Sequence, residues 1–391
     1  MKHLIKFVIL GCMLTVLLSV LSLQKAEAKI PLSGAACSGC EELAGVAAVS
    51  SKDIWAVGGH YDSSSGQILS LIENWNGTSW SVVPSPNAGS VENSLFGVAA
   101  ISSTDVWAVG SYFNYSGTGG ALIENWNGTS WSVVASPNPG TCGGLSGVTA
   151  ISSTDVWAVG TTATCGSVNK TLIEHWNGTR WSVVTSPNPG SGGSLSGVVA
   201  VSSINVWAVG TYYNKSNTER TLIEHWNGTS WSVVKSPNVW LSTNYLSGVT
   251  AVSATDVWAV GTYDNSSGQE LTLIENWNGT SWSVVPSSNP GSINYLFGVA
   301  AVSPTDVWAV GYSFTGSSQI VTLIENWNGT SWSVVPSPNV GSGENDLYSV
   351  EATSATNVRA VGGRYYNSKQ PFLTLTERWN GTKWSVVKSP N

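Results

Sequence analysis

The sequence predicts an all-β protein: a seven-bladed β-propeller with four antiparallel strands per blade and a repeat period of about 50 residues. Three observations carry that expectation. A variant of Asp-Val-Trp-Ala-Val-Gly recurs seven times, starting at Asp53, Asp105, Asp155, Asn205, Asp256, Asp306 and Asn357, at intervals of 50 to 52 residues. A variant of Leu-Ile-Glu-Asn-Trp-Asn-Gly-Thr-Ser-Trp follows each copy. The repeat is rich in strand formers and broken by tight-turn residues, which belongs to propeller blades and not to helical solenoids.

The chain before the first repeat reads differently. Lys2, His3 and Lys6 make a basic start, Phe7 to Leu23 is apolar or small, and Ala26-Glu27-Ala28 offers the small residues that a signal peptidase requires. Residues 1–28 are therefore read as an export signal cut between Ala28 and Lys29, with a retained membrane anchor as the alternative. Residues 29–41 form an N-terminal segment, and 42–391 form the propeller. The product is expected to be secreted or held at the cell surface, as a monomer, with no membrane insertion once the signal is removed.

Charged residues are only 10% of the chain while tryptophans number 21, so the fold must rest on buried aromatic and aliphatic surface. A net charge of -7 with no basic run argues against nucleic acid, since nothing would neutralise phosphates. Outside the signal lie Cys37, Cys40, Cys142 and Cys165, an even number, which in an exported chain favours disulfides. The two-residue spacing of Cys37 and Cys40 also fits a metal half-site. With no second such pair and no histidine nearby, neither a metal nor a cofactor is expected.

The third copy shows the blade. Gly147 to Ile151 reads as strand A, Ser152 to Asp155 as a turn, and Val156 to Val159 as strand B, apolar on both faces because neighbouring sheets cover it. Thr171 to Trp176 alternates as strand C, Asn177-Gly178 reads as a two-residue type I′ hairpin, and Trp181 to Val184 is strand D. Trp176 and Trp181 then face each other across that hairpin. Glu174 has a counterpart in every blade, so it reads as a buried acceptor between blades and not as a catalytic group. His175 and His225 stand where other blades carry asparagine or arginine, and read as framework. No strand is exchanged between the chain ends, so the ring is expected to close by packing blade one on blade seven, with residues 30–41 as a candidate aid.

The repeat resembles the kelch-like propellers of secreted, bacterial type. Ala56-Val57-Gly58-Gly59 and Ala360-Val361-Gly362-Gly363 match the kelch double glycine, and Trp-Asn-Gly-Thr-Ser-Trp matches its later hairpin, with single glycines in blades two to six. The hairpin is also similar to a shortened Asp-box of sialidase-type propellers. The resemblance implies the fold. It also implies where family enzymes would keep their sites, and those residues are missing. Copper oxidases of the kelch type need histidine and tyrosine ligands, and only His60 lies outside the framework; sialidases need clustered arginines, and this chain has five in all, three of them in the last blade.

Alternating strand direction puts the B–C loops and D–A connections on one face and the A–B turns and C–D hairpins on the other. The second face is nearly invariant, and the first varies from blade to blade. Tyr61, Tyr112, Tyr212, Tyr263, Tyr312 and Tyr365 follow strand B directly; Tyr115, Tyr213 and Tyr366 lie beyond them, and Trp240 sits in a D–A connection. Tyrosine, asparagine and serine on loops of a rigid scaffold make an adaptable recognition surface. These ten residues are the candidate ligand contacts, against the competing reading that tyrosine caps strand B and rims the channel. Cys142 and Cys165 fall on the same face and are a reasonable disulfide, with alternative pairings through Cys37 and Cys40 open. The leading function is a secreted, non-catalytic recognition propeller for a glycan or an extracellular protein. A structural envelope or spore-surface protein comes second. A channel enzyme comes third, its candidate acids being Asp62, Asp264, Asp346, Glu219, Glu270 and Glu344.

Overall fold

The computed structural model describes residues 41–137, 139–239, 243–316, 319–341, 343–365 and 372–390. The expected export signal over residues 1–28, the candidate closing segment up to residue 40 with Cys37 and Cys40, and Trp240 and Tyr366 lie outside them. Twenty-eight strands and no helix are present among the described residues, and they group into seven blades of four strands. Blade one is Glu41–Ser50, Asp53–Asp62, Gln67–Trp75 and Trp80–Val82, here called strands A to D, each antiparallel to the next. Blade seven repeats the pattern with Asn345–Ser354, Asn357–Tyr365, Phe372–Trp379 and Trp384–Val386.

The A strands of adjacent blades pack side by side around the whole ring, which places them innermost. Several of their residues, Ser146 to Ala150 for example, are nevertheless half-exposed, so the axis is an open channel. Between blades lie the seven hydrophobic clusters that hold the ring. Each A strand carries a bulge just after an invariant, fully buried leucine, as between Leu95 and Gly97. There the A-strand carbonyl comes so close to strand B that only glycine fits: a Cβ on Gly110 would lie 1.9 Å from the Ser94 carbonyl oxygen.

Two sequence expectations change. Strand A of blade three runs Cys142–Ser152 and strand B Asp155–Ala163, both longer toward the loop face than their apolar cores. Hydrogen bonding carries the backbone on through glycine, serine and threonine that read as turn. The hairpins are not two-residue type I′ turns either. In blade one, strands C and D end at Trp75 and Trp80, leaving a four-residue loop in which Gly77 alone has positive φ, 97°. The Asn76 Oδ1 accepts from the Thr78 and Ser79 amides, so asparagine serves here as a side-chain acceptor and not as a left-handed residue. The tryptophans do face each other, Trp75 and Trp80 with ring centroids 5.8 Å apart.

Five of the seven repeated glutamates join the blades through a serine hydroxyl, while Glu325 accepts the Ser288 amide and Glu377 has no hydrogen-bond partner among the described residues. Glu224 accepts from the hydroxyl of Ser186 in the preceding blade, both bonds at 3.0 Å, and Ser85–Glu124, Ser136–Glu174 and Ser236–Glu275 repeat the latch. The chain closes its ring with the same bond, Ser389 of blade seven to Glu73 of blade one at 2.7 and 2.8 Å. Strand A of blade one also packs on the first three strands of blade seven, and the Val46 amide donates to the Ser349 hydroxyl across the seam. Closure is by packing without strand exchange, as expected. The histidines are framework: His175 Nε2 lies 2.8 Å from Asp155 Oδ1, where Asn125 of blade two makes the equivalent bond to Asp105.

Candidate functional site at the loop-face mouth of the channel

A propeller of near-identical blades has near-sevenfold symmetry, so a unique site must sit where that symmetry is broken. One such break lies on strand A, on either side of the invariant leucine. The preceding residue is Glu42, Ser94, Gly144, Ser194, Tyr245, Tyr295 and Asp346 from blade one to blade seven; the following, bulged residue is Ala44, Phe96, Ser146, Ser196, Ser247, Phe297 and Tyr348. Glycine and serine line blades three and four at this level, whereas blades five to seven present aromatics and an acid.

Those aromatics form one wall. Tyr295 stands directly opposite Tyr312 on strand B of its own blade and stacks on it, centroids 5.0 Å apart. Phe297 packs against Tyr295, Tyr312 and Tyr348 at 6.0, 5.8 and 5.6 Å, and Tyr245 of blade five lies 6.3 Å from Tyr295. Tyr245, Tyr295 and Tyr312 are enclosed by protein yet retain solvent-accessible surface, as residues of a concave wall do.

Acids surround the wall. Asp346 is fully buried, and neither carboxyl oxygen has a hydrogen-bond partner among the described residues. Burial first, then Glu344 and Glu42, raises it well above the ordinary carboxylate range. Burial, with Glu92 adding repulsion, pushes Glu42 up to about 7, and burial alone takes Glu344 to about 7. Glu270 and Glu219 open strand C of blades five and four and act on Tyr245 from the loop side. Burial thus favours the protonated forms of Asp346, Glu42 and Glu344, which can both donate and accept. Among the described residues, no three histidine, cysteine, aspartate or glutamate side chains converge as a metal group.

The structure brings together only part of the tyrosine set. Tyr312 belongs to the wall. Tyr112, Tyr212 and Tyr263 lie within extended B strands and lean on the inter-blade cores, as the capping reading expects. The Tyr213 hydroxyl donates to Glu219 at 2.9 Å. Tyr61 and Tyr365 end their B strands half-buried, and Tyr115 is 75% exposed on its loop. Of the acids expected on single loops, Glu219, Glu270, Glu344, Asp264 and Asp346 all lie in this region, while Asp62 holds its own loop by bonds to Ser64 and Ser65. Sequence reasoning missed Glu42, Tyr245, Tyr295, Phe297 and Tyr348 as a group. The usable signal was that the residue before an invariant leucine on strand A changes from acid to serine, glycine and tyrosine between blades.

Cys142 and Cys165 form a disulfide with Cα atoms 5.1 Å apart. Cys142 is the first residue of strand A and not part of a connection, so the bond ties the start of that strand to the following B–C loop on the glycine-lined side of the channel. Such a bond fits an oxidising, extracytoplasmic compartment. No helix among the described residues is long and apolar enough to cross a membrane.

Fold and site together define a seven-bladed β-propeller with one asymmetric sector at its channel mouth. No family model and no curated protein matches the chain. Solved structures do. A polysaccharide lyase, an ulvan lyase of family PL25, is similar at 8% identity and TM-score 0.56 over 90% of this chain and 95% of that one. YCF48 bound to a D1 peptide is similar at 13% identity and TM-score 0.52 over 87% and 92%. Sqt1 from Chaetomium thermophilum is similar at 12% identity and TM-score 0.50 over 90% and 85%. Likeness at these identities establishes the propeller fold and nothing finer.

Proposed function

We propose that this protein is a non-catalytic carbohydrate-binding propeller that takes a neutral glycan at the loop-face mouth of its channel. One observation carries the reading: the aromatic wall of Tyr245, Tyr295, Phe297, Tyr312 and Tyr348 stands beside Asp346 and Glu344, whose protonated forms burial favours. A sugar presents an apolar ring face and a rim of hydroxyls. The first packs on aromatic rings, and the second finds donors and acceptors in neutral carboxyls. The similar ulvan lyase carries a polymer of glucuronate and sulfated rhamnose in its bound form. An acid-lined mouth would repel such a polyanion once ionised, so a neutral glycan fits this chain better. Secretion, kinship with kelch-like repeats and a monomeric state are parts of the same proposal. They rest on the apolar leader, the double-glycine and hairpin motifs, and the ring that closes within one chain.

The test is titration of the purified protein with neutral cell-wall polysaccharides by calorimetry, repeated with Phe297→Ala and Tyr348→Ala. Saturable binding that weakens at least tenfold in the variants supports the reading, and unchanged affinity overturns it. A channel enzyme is the second reading, favoured by Glu344 lying near pKa 7, the range suited to a general acid. Shortened chains in the calorimeter cell after prolonged incubation would decide for it.

A further inference from the structure

The opposite face, whose sequence hardly varies, carries a second feature that the channel mouth does not explain. Between blades one and two it opens into a groove of about 460 Å³, lined by Lys52, Asp53, Asn74, Ser103 and Trp126. Between blades two and three the equivalent groove, about 540 Å³, has Thr104, Asp105, Asn125, Ser153 and Trp176. The two differ only in their rims.

Each groove is built alike. A strand-B tryptophan of one blade packs beneath the strand-C tryptophan of the next: Trp55–Trp126, Trp107–Trp176, Trp157–Trp226, Trp207–Trp277, Trp258–Trp327 and Trp308–Trp379 all have centroids 5.0 or 5.1 Å apart. The upper indole is fixed and half-exposed; Trp126 and Trp176, for instance, donate their N–H to the turn carbonyls of Ser103 and Ser153. Beside it, Asp53, Asp105, Asp256 and Asp306 each accept an asparagine amide at Oδ1 and have no hydrogen bond at Oδ2 among the described residues. A rigid, half-open indole next to an oriented, half-satisfied carboxylate is the arrangement that binds a polyhydroxylated ring, with the ring face on the indole and a hydroxyl on the free oxygen. A merely structural tryptophan stack needs no open acceptor at its rim.

Between blades three and four His175 replaces the asparagine, and between blades four and five Asn205 replaces the aspartate. We infer that the four grooves that keep the aspartate and asparagine are equivalent subsites for neutral sugar residues, and that a polysaccharide or glycosylated surface laid against the hairpin face engages several at once. Single sites of this size bind weakly, and linked occupancy raises the affinity of the array by orders of magnitude without new contacts. The seventh seam is built differently. Arg359 replaces the lower tryptophan, and Arg378 replaces the asparagine and bonds Asn357 at 3.1 Å. The inference does not depend on the channel-mouth reading, because the two sites lie on opposite faces and share no residue.

Blade seven also supplies the test. Asn125→Arg and Asn276→Arg place in two open grooves the side chain that the fold already accepts at position 378. Soluble gluco-, xylo- and manno-oligosaccharides are titrated into the whole protein while tryptophan emission and heat are followed. With the channel mouth silenced by Phe297→Ala, the expected result is saturable quenching with about four sites per chain, falling by about one with each arginine. Melting temperatures within a few degrees of the parent show that the variants are folded. No change in emission at up to about 20 mM sugar, or a stoichiometry that both arginine variants leave untouched, overturns the inference. Loss of all binding in Phe297→Ala overturns it too, and assigns binding to the channel mouth alone.

Discussion

Six of the seven seams between blades rest on an indole, and the seventh rests on a guanidinium. At the ordinary seams a strand-B tryptophan such as Trp157 touches both hairpin tryptophans of the next blade, at 5.0 and 5.5 Å. At the closing seam Arg359, 2% exposed, lies 4.0 Å over Trp75 and 5.9 Å from Trp80. Burial, then Arg378, lowers its pKa to about 10, so it stays charged at neutral pH, and its Nε and Nη1 find no acceptor among the described residues. A cation over an indole recovers part of what stacking gives, while two buried N–H groups go unmatched. The last seam is the same joint made with a costlier part.

Titrating the shared latches challenges that contrast most severely. Burial holds Glu73, Glu124, Glu224 and Glu325 at about 7 and Glu275 and Glu377 at about 8, with serine hydrogen bonds opposing the rise in the first three and in Glu275. In the unfolded chain these groups titrate near 4.5, so between that pH and 7 to 8 the folded state holds the extra protons. Their stabilising contribution is fully present below about 4.5 and is lost as pH climbs through 7 to 8. The melting temperature should fall by roughly 10 °C or more between about pH 5 and about pH 8.5. A flat or rising profile would show that the buried seam glutamates do not share this protonated state.

Cutting single seams comes next. Trp157→Ala should cost about 3–5 kcal/mol, the usual loss for a buried tryptophan. Arg359→Ala should cost about half as much in the same denaturation experiment, since the parent already carries unmatched donors, and Arg359→Trp should stabilise. Equal losses would erase the distinction between the seams. The smallest effect concerns what the seams share. Ser389→Ala and Ser186→Ala each leave a buried glutamate without its hydroxyl and should cost about 1–3 kcal/mol apiece. Agreement between them within about 0.5 kcal/mol would mean that the ends of the chain are latched like any interior pair.

The blade was legible because its causes are local. Asn-Gly with flanking tryptophans makes a hairpin wherever it occurs, and Val-Trp-Ala-Val makes a buried strand. The partner of Glu174 was not legible, because Ser136 lies 38 residues away in a neighbouring blade and looks like any serine before a proline. The start of strand A was misjudged for a related reason: Gly143 and Gly144 read as turn until pairing with Thr162 and Thr161 extends them. The channel wall was half legible. Glu344 and Asp346 stood out as acids unique to one blade, but only the ring brings Tyr312 and Glu42 to them from blades six and one.

Closure without an exchanged strand bears on how the gene can change. Every blade begins and ends inside one repeat, and Ser389 meets Glu73 with the bond that joins Ser186 to Glu224. Unequal crossing-over between such similar repeats would delete or duplicate one complete blade and leave no orphan strand. The ring's size is then held by the geometry of its inner wall, and lineages of this protein are free to explore other blade numbers in a single genetic step.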